Sequence, residues 1–322
     1  MSVKGKHLIH YVPHGIDSQV FKPVDFNDTD LIKFKKSILG NKDYDFICLY
    51  NSRNIGRKRT SNIMLAFRTF CDNLPKEKAD KCLLILHTER VLDAGTDLDA
   101  INEAFLRDKN LIILENRFTP VEMNLLYNLS DVTINISSNE GFGLSIAESI
   151  MCGTPIIVNV TGGLQDQIGQ LDDGGNPVKF SVDFGSNNVG RYTRYGIWAK
   201  PIWPVTRVVQ GSPMTPYIFD DLCKWEDAAD AMMYWYLMPK SRREECGLEG
   251  RRWAQNEGGL NNKNLAERFI SGMDFTINNF KRESAFSLHT SDEYVGNLMP
   301  DDHLGFEIPK IDVEKIKKEL SI

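Results

Sequence analysis

The chain has 322 residues, of which 42% are hydrophobic and 25% are charged. This composition is typical of a globular protein with a buried core and excludes disorder of the whole chain. Its 38 basic and 44 acidic residues leave a net charge of −6, so the totals indicate neither a nucleic-acid-binding protein nor a polybasic membrane patch. No apolar run approaches the roughly 18 residues that a membrane-spanning helix requires. We therefore expect no nucleic-acid partner and no transmembrane segment.

The six cysteines are scattered and form no C-x-x-C pair, and several lie in apolar segments, as Cys48 does in the run 46–50. This pattern favours buried free thiols in a reducing compartment. The six histidines are equally dispersed, so no metal motif is visible and we expect no metal cofactor. Residues 1–7 lack the apolar stretch of a secretory signal, and we expect a cytoplasmic location.

Short apolar segments alternate with helical patterns along the first half of the chain. Strands are predicted at 7–12, 45–50, 82–87, 110–114, 131–136 and 155–160, and helices at 29–39, 60–73, 97–107, 119–129 and 144–152. Such alternation predicts an α/β fold of the Rossmann-like type, a parallel sheet with helices on both faces. Further helices are predicted at 225–238, 240–256 and 262–280.

Two segments interrupt this regularity. Residues 172–221 are rich in glycine, proline and aromatic side chains, with little periodicity. We interpret them as an irregular excursion packed by its own aromatic residues, and an acceptor or partner surface is the alternative. Residues 281–322 form a mixed polar tail with a possible short helix near 312–320.

The segment 137–163 carries the main chemical signal. A predicted strand ends before Ser137, a loop holds Glu140, and a helix begins near Leu144 after Gly143. The N–H groups and the dipole at such a helix start favour an anion such as a diphosphate. Glu148 lies about one turn into the helix, so both carboxylates are expected to face one cleft, where they can accept hydrogen bonds from sugar hydroxyls. The alternative is that both glutamates only complement the helix dipole.

A second signal is the basic loop that follows the predicted strand at 45–50. Arg53, Arg57, Lys58 and Arg59 lie within seven residues. An isolated charge cluster is commonly a solvated loop. Because this loop also lies at the carboxyl end of a sheet strand, it can face the same cleft and neutralise a diphosphate.

Taken together, these residues resemble the family-4 retaining glycosyltransferases of the GT-B fold. The resemblance rests on the segments 138–144 (SNEGFGL), 152–155 (CGTP) and 162–163, on Glu148, and on Arg53 and Lys58, which match an Arg-x4-Lys pair. The segment 111–136 is similar to the family's strand–loop–helix–strand, and 14–23 to its N-G-V-D-x-x-x-F-x-P motif, with His14 for Asn. The basic loop 51–59 is most similar to a subgroup that includes viral enzymes.

The resemblance implies a role for each matched residue. Arg53 and Lys58 would hold the donor diphosphate and stabilise the leaving nucleotide, Glu140 would contact the transferred sugar, and Glu148 would bind the ribose hydroxyls. The donor-binding loops would comprise Gly141, Phe142, Gly143, Leu144 and Ser145 at the phosphates or the sugar, and Asn116, Arg117 and Phe118 beside the base. The implied donor is a UDP-, GDP- or ADP-sugar, without a metal or other cofactor.

The family has two Rossmann-like domains, and the chain resembles only the C-terminal, donor-binding one. Residues 1–28 are accordingly interpreted as a linker and residual strand, 29–280 as the nucleotide-sugar-binding domain, and 281–322 as a tail. The implied partner is an unknown acceptor. Three explanations are open for the N-terminal half: the gene is split, that half is lost or missing from the sequence, or it is a separate partner chain. A nucleotide-sugar-binding module without its own catalysis is one alternative, and a nucleotide-sugar epimerase is another. A P-loop ATPase is disfavoured because no G-x-x-x-x-G-K-[ST] occurs.

Overall fold

The computed structural model describes residues 11–178, 185, 191–212 and 215–280. Of the predicted strand at 7–12, only residues 11 and 12 are described. The tail 281–322 and its predicted short helix lie outside the described residues. Nothing in the structure tests the predicted domain boundaries, which stay predictions.

A six-stranded parallel sheet forms the centre of the described chain. Its strands are β1 (Phe46–Asn51), β2 (Cys82–His87), β3 (Leu111–Leu114), β4 (Val132–Asn135), β5 (Ile156–Asn159) and β6 (Ala199–Ile202), in the order β3-β2-β1-β4-β5-β6. The order reverses between β1 and β4, and ligands of open α/β sheets bind in the crevice at the carboxyl ends of the strands at such a point. The predicted Rossmann-like sheet is confirmed.

Helices cover both faces of this sheet. They are α1 (Thr29–Leu39), α2 (Thr60–Asp72), α3 (Lys76–Ala79), α4 (Leu98–Phe105), α5 (Pro120–Leu129), α6 (Leu144–Met151), α7 (Gly162–Gln165), α8 (Trp225–Leu237), α9 (Lys240–Gln255) and α10 (Asn262–Asn279). In β1, Ile47 and Leu49 pack into the core beneath α1, α5 and α6, while Phe46, Cys48 and Tyr50 pack beneath α2 and α8. A continuous apolar run therefore fills two cores at once.

The start of α5 illustrates how local chemistry sets a helix end. The Thr119 hydroxyl accepts from the Glu122 N–H at 3.3 Å, and the Glu122 carboxylate accepts from the Thr119 N–H at 2.8 Å. Pro120 occupies the first helical position, where its missing N–H costs nothing. This capping box fixes the start of the helix that the sequence predicts at 119–129.

The interpretation of 172–221 as an irregular, self-packed excursion needs correction from residue 199 onward. That part contains β6 and an antiparallel hairpin of β7 (Thr206–Ser212) and β8 (Thr215–Leu222), whereas the described residues between 172 and 198 form no helix or strand. Trp198 is buried and stacks on Trp253 of α9, with ring centroids 5.0 Å apart. The sequence of β6 shows no apolar run and includes Pro201, which is tolerated because β6 is an edge strand.

The six cysteines are free thiols, and five of them are buried, as the sequence predicted. Among the described residues, no helix is long and apolar enough to cross a membrane.

Candidate functional site

A cleft of about 850 Å³ opens at the carboxyl edge of the sheet, beside β1, β2, β3 and the loop after β4. It brings together the predicted site residues Arg53, Lys58, Asn116, Arg117, Phe118, Glu140, Phe142, Gly143, Leu144, Ser145 and Glu148. Gly141 does not line it; this residue is exposed in the loop between Glu140 and Phe142. The spacing argument thus located the cleft, while the chemical role of each residue stays a prediction.

An ion pair lies at one side of the cleft. The Lys58 ammonium donates to the Glu140 carboxylate, and Arg57 Nη1 lies 3.4 Å from the same oxygen. The side chains of Lys58 and Glu140 are only 9% and 11% exposed. Burial lowers the pKa of Lys58, and the hydrogen bond to Glu140 opposes that shift. The pair therefore places the Lys58 ammonium at the cleft wall, where an anionic ligand can bind it as well.

The local backbone explains why Lys58 is buried and Arg53 is not. A single 3₁₀ turn over Gly56–Lys58 follows β1, and Arg59 adopts the left-handed conformation (φ 55°) before α2 begins. The Ser138 N–H donates to the Arg57 carbonyl at 2.8 Å, which joins this turn to the loop after β4. Arg53 precedes the turn; its side chain is 70% exposed, with Glu89 3.8 Å away.

Two glycines support the loop that holds Glu140. A Cβ on Gly162 would lie 2.1 Å from the Glu140 carbonyl oxygen, and one on Gly163 would lie 2.4 Å from the Phe142 Cα. The Gly163 N–H donates to the Glu140 carbonyl at 3.0 Å. The loop can approach β5 this closely only because both positions lack a side chain.

The start of α6 faces the cleft beside this pair. Gly143 is the N-cap in the left-handed region (φ 92°), and no side chain caps the helix within the described part of the chain. Gln167 Nε2 donates to the Phe142 carbonyl at 2.5 Å and fixes the turn from behind. The first N–H groups of α6 are thus available to an anion, and the helix dipole favours negative charge there.

Glu148 lies on α6 in the same cleft and belongs to a buried network. The Tyr127 hydroxyl donates to Glu148 Oε2 at 2.7 Å, and Asn51 Nδ2 donates to that hydroxyl at 2.8 Å. Burial raises the pKa of Glu148, while the hydrogen bond from Tyr127 lowers it. Burial also raises the pKa of Tyr127 far above its usual range, so the phenol stays neutral and acts as a donor.

The network continues to the loop after β3. Asn51 Oδ1 lies 2.8 Å from His87 Nδ1, and His87 Nε2 lies 2.8 Å from the Asn116 carbonyl oxygen. Phe118 stacks on the His87 ring with centroids 5.2 Å apart. The His87 ring therefore holds the loop 116–118 against β2 through one hydrogen-bond contact and one stacking contact.

The hairpin contributes a support that the sequence did not predict. The Asp221 N–H donates to the Ser138 carbonyl at 2.7 Å, and its buried carboxylate accepts from Thr161 Oγ1 at 2.7 Å and from Arg207 Nε at 2.8 Å. The start of the Glu140 loop and the end of β5 are thereby joined to the hairpin.

Sequence reasoning also missed the positions of Asn51, His87 and Tyr127 in the hydrogen-bond network of Glu148. Asn51 and His87 are the last residues of β1 and β2, and a polar residue at the carboxyl end of a parallel strand is a usable signal for a cleft. Tyr127 gave no such signal, because an aromatic residue on a helix is read as core.

Comparison with known proteins agrees with this fold. Residues 32–176 match the model of the family described as "Glycosyl transferases group 1". The D-inositol 3-phosphate glycosyltransferase of Xylanimonas cellulosilytica is 27% identical over 244 residues, which are 73% of this chain and 52% of that protein. The chain thus spans about half the length of this curated relative.

Two solved structures show the same architecture. Sucrose-phosphate synthase from Thermosynechococcus elongatus superposes with a TM-score of 0.55 at 16% identity, over 83% of this chain and 52% of that one. Anabaena HepE in complex with UDP and glucose gives 0.53 at 14% identity, over 82% and 56%. The predicted fold, that of a GT-B C-terminal domain, is confirmed, and residues 32–176 are similar to the glycosyl transferases group 1 family; the family-4 assignment, the retaining character and the viral-type subgroup stay predictions.

Proposed function

We propose that the chain binds a nucleoside diphosphate sugar in the cleft and supplies the donor-binding half of a glycosyltransferase that retains the anomeric configuration. The observation that carries this proposal is the meeting, in one cleft, of the Lys58–Glu140 pair, the start of α6, and Glu148. Cations and free N–H groups suit a diphosphate, and buried carboxylates suit hydroxyls.

The positions of the charged groups predict where each part of the ligand lies in the cleft. The diphosphate is expected between Arg53, Lys58 and the start of α6, because these groups supply positive potential at the cleft surface. Glu148, farther along α6, would accept from the ribose hydroxyls, and the loop 116–118 would border the base. Glu140 would then lie beside the sugar that is transferred.

The chemical step follows from this placement. The bond between the sugar and the diphosphate breaks, and the electron pair leaves with the diphosphate, whose growing charge Arg53 and Lys58 would stabilise. Glu140 would face the cationic sugar carbon. Retention requires the acceptor hydroxyl to attack from the face that the diphosphate leaves, so that its oxygen bonds to the sugar carbon and its proton passes to the departing diphosphate. The support for this detail is the family resemblance of the motifs.

The relatives give the proposal a context. The curated relative is named as a D-inositol 3-phosphate glycosyltransferase, and the HepE structure contains UDP and glucose, so UDP is the first nucleotide to test. Since the chain covers about half of that relative, the acceptor and any separate N-terminal half are part of the proposal. Binding can be measured without either.

The test is calorimetric titration of the full chain with UDP, GDP, ADP and their hexose conjugates, for the native protein and for Arg53→Ala. Hydrogen bonds to charged groups contribute about 1.5–3 kcal/mol, and because Arg53 is largely exposed we expect about 1–2 kcal/mol, a 5–30-fold weaker Kd. The control is Arg107→Ala, an equally exposed arginine at 68% that does not line the cleft. No binding of any of these nucleotides, or equal losses in both variants, would contradict the proposal.

A further inference from the structure

Four consecutive hydrogen-bond contacts run through the cleft wall, from the carboxylate of Glu148 to the backbone of the loop after β3. They join Glu148 to Tyr127 at 2.7 Å, Tyr127 to Asn51 at 2.8 Å, Asn51 to His87 at 2.8 Å, and His87 to the Asn116 carbonyl at 2.8 Å. Each contact needs one hydrogen, so the protons in the chain can be counted.

In one orientation of the Asn51 amide, its NH₂ group faces Tyr127. The Tyr127 hydrogen then points to Glu148, which accepts it as a carboxylate. The amide oxygen faces His87 Nδ1, and the Asn116 carbonyl faces His87 Nε2. Both ring nitrogens must then carry hydrogen, which makes His87 an imidazolium.

In the other orientation, the Asn51 oxygen faces Tyr127 and takes its hydrogen. Glu148 must then be protonated to donate to the Tyr127 oxygen, while the Asn51 NH₂ donates to an unprotonated His87 Nδ1. The imidazole is neutral in this case. Both orientations of the amide need the same total: one proton more than ionised Glu148 and neutral His87 together provide.

We propose that Glu148, Tyr127, Asn51 and His87 share one proton, and that His87 is a positioning residue which, as an imidazolium, locks the loop at Asn116 while leaving Glu148 ionised for the ligand. If the proton is lost, two lone pairs face each other at one 2.8 Å contact, which breaks the chain there. The identity of the ligand that uses Glu148 rests on the proposed function; the proton count does not.

Ligand binding should select between the two forms. Ribose hydroxyls donate to an ionised carboxylate, and a diphosphate adds negative charge to the cleft, so a bound nucleotide favours the imidazolium form. The charged groups that line the cleft together with His87 are Arg53, Lys58, Glu89, Glu115, Arg117, Glu140 and Glu148. Burial raises the pKa of Glu148, which favours the protonated carboxyl group that the second form requires.

The first measurement uses the full chain labelled with ¹⁵N in its imidazole rings, with His87→Gln to assign the signal. In the native protein at neutral pH, we expect a doubly protonated ring with both N–H groups hydrogen-bonded, and a larger doubly protonated fraction with nucleotide. In Tyr127→Phe, Asn51 is free to turn its NH₂ to His87, so the doubly protonated fraction should fall. Equal fractions in the native protein and in Tyr127→Phe would overturn the proposal.

The second measurement is calorimetry of UDP binding in buffers that differ in ionisation enthalpy, at several pH values. Above the pH at which the nucleotide-free chain loses the shared proton, we expect binding to take up as much as one proton; below that pH binding only moves the proton from Glu148 to His87. The uptake should be lost in His87→Gln and in Tyr127→Phe, each checked for folding by thermal unfolding. Binding without proton uptake at any pH would overturn the inference. Absence of nucleotide binding would instead count against the proposed function, and the imidazole spectra would still decide the proton count.

Discussion

The Glu140→Gln substitution gives the sharpest prediction, because it removes a charge and keeps the shape. Removing one partner of a buried ion pair costs about 3–5 kcal/mol. The glutamine carbonyl can still accept from Lys58, and a hydrogen bond to a charged group recovers about 1.5–3 kcal/mol. We therefore expect the free energy of unfolding to fall by about 2 kcal/mol. At about 2–4 °C per kcal/mol for a domain of this size, the melting temperature should fall by about 4–8 °C.

Nucleotide binding should respond in the opposite way. Without Glu140, Lys58 and Arg57 are no longer neutralised, so the diphosphate meets more positive charge and binds as tightly as before or more tightly. Release of the sugar from the donor, followed as free nucleotide over time, should be lost. The control is Glu267→Gln on α10, whose carboxylate is 63% exposed and whose change should fall within about 0.5 kcal/mol. Unchanged sugar release, or a loss of affinity as large as in Arg53→Ala, would refute the reasoning.

Two further substitutions test the surroundings of the site. Burial raises the pKa of Asp166 to about 6, above its value in the unfolded chain, so the free energy of unfolding should fall as the pH rises from about 4 to 6. Above pH 6, Asp166→Asn should therefore be more stable than the native chain by about 1–3 kcal/mol. Thermal unfolding that shows the same difference between the two proteins at pH 4 and at pH 6 would contradict this. Gly163→Ala would place a methyl group 2.4 Å from the Phe142 Cα, so we expect the free energy of unfolding to fall by about 1–3 kcal/mol and nucleotide binding to weaken. The control is Gly272→Ala on α10, where a Cβ meets nothing within 4 Å and the free energy of unfolding should rise by about 0.5–1 kcal/mol. Equal effects of the two substitutions would argue against the close approach at Gly163.

The strands that are buried on both faces of the sheet could be predicted from the sequence. The runs 46–50 and 82–86 are wholly buried, and a strand covered on both faces must be apolar at every position, so its sequence marks it without ambiguity. The edge strand β6 carries no such mark, because its Ala-Lys-Pro-Ile sequence meets neither a full run nor an alternation. The hairpin that follows combines exposed apolar residues, such as Val209 and Tyr217, with the buried Asp220 and Asp221, and its two strands are defined by pairing with each other.

The site was predictable only in part, for a related reason. Glu140 and Glu148 lie on one loop and the helix after it, so their proximity follows from local geometry. Tyr127 and His87 come from a helix and a strand that are far apart in the chain, and only the tertiary fold brings them to the same network. Spacing along one segment predicts contacts within that segment, but it carries no information on which polar group of another element completes the hydrogen bonds.

The position of the Glu140 loop is fixed by contacts from three separate segments. The turn after β1 holds it through the Arg57 carbonyl, the glycines after β5 hold it through the Gly163 N–H, and the hairpin holds it through the Asp221 N–H. A carboxylate anchored in this way cannot follow a ligand that moves, so its charge is already in place when the ligand arrives, which is how a preorganised site stabilises a developing charge without reorganisation. The hairpin, which the sequence did not predict, is thus part of what makes the predicted glutamate rigid.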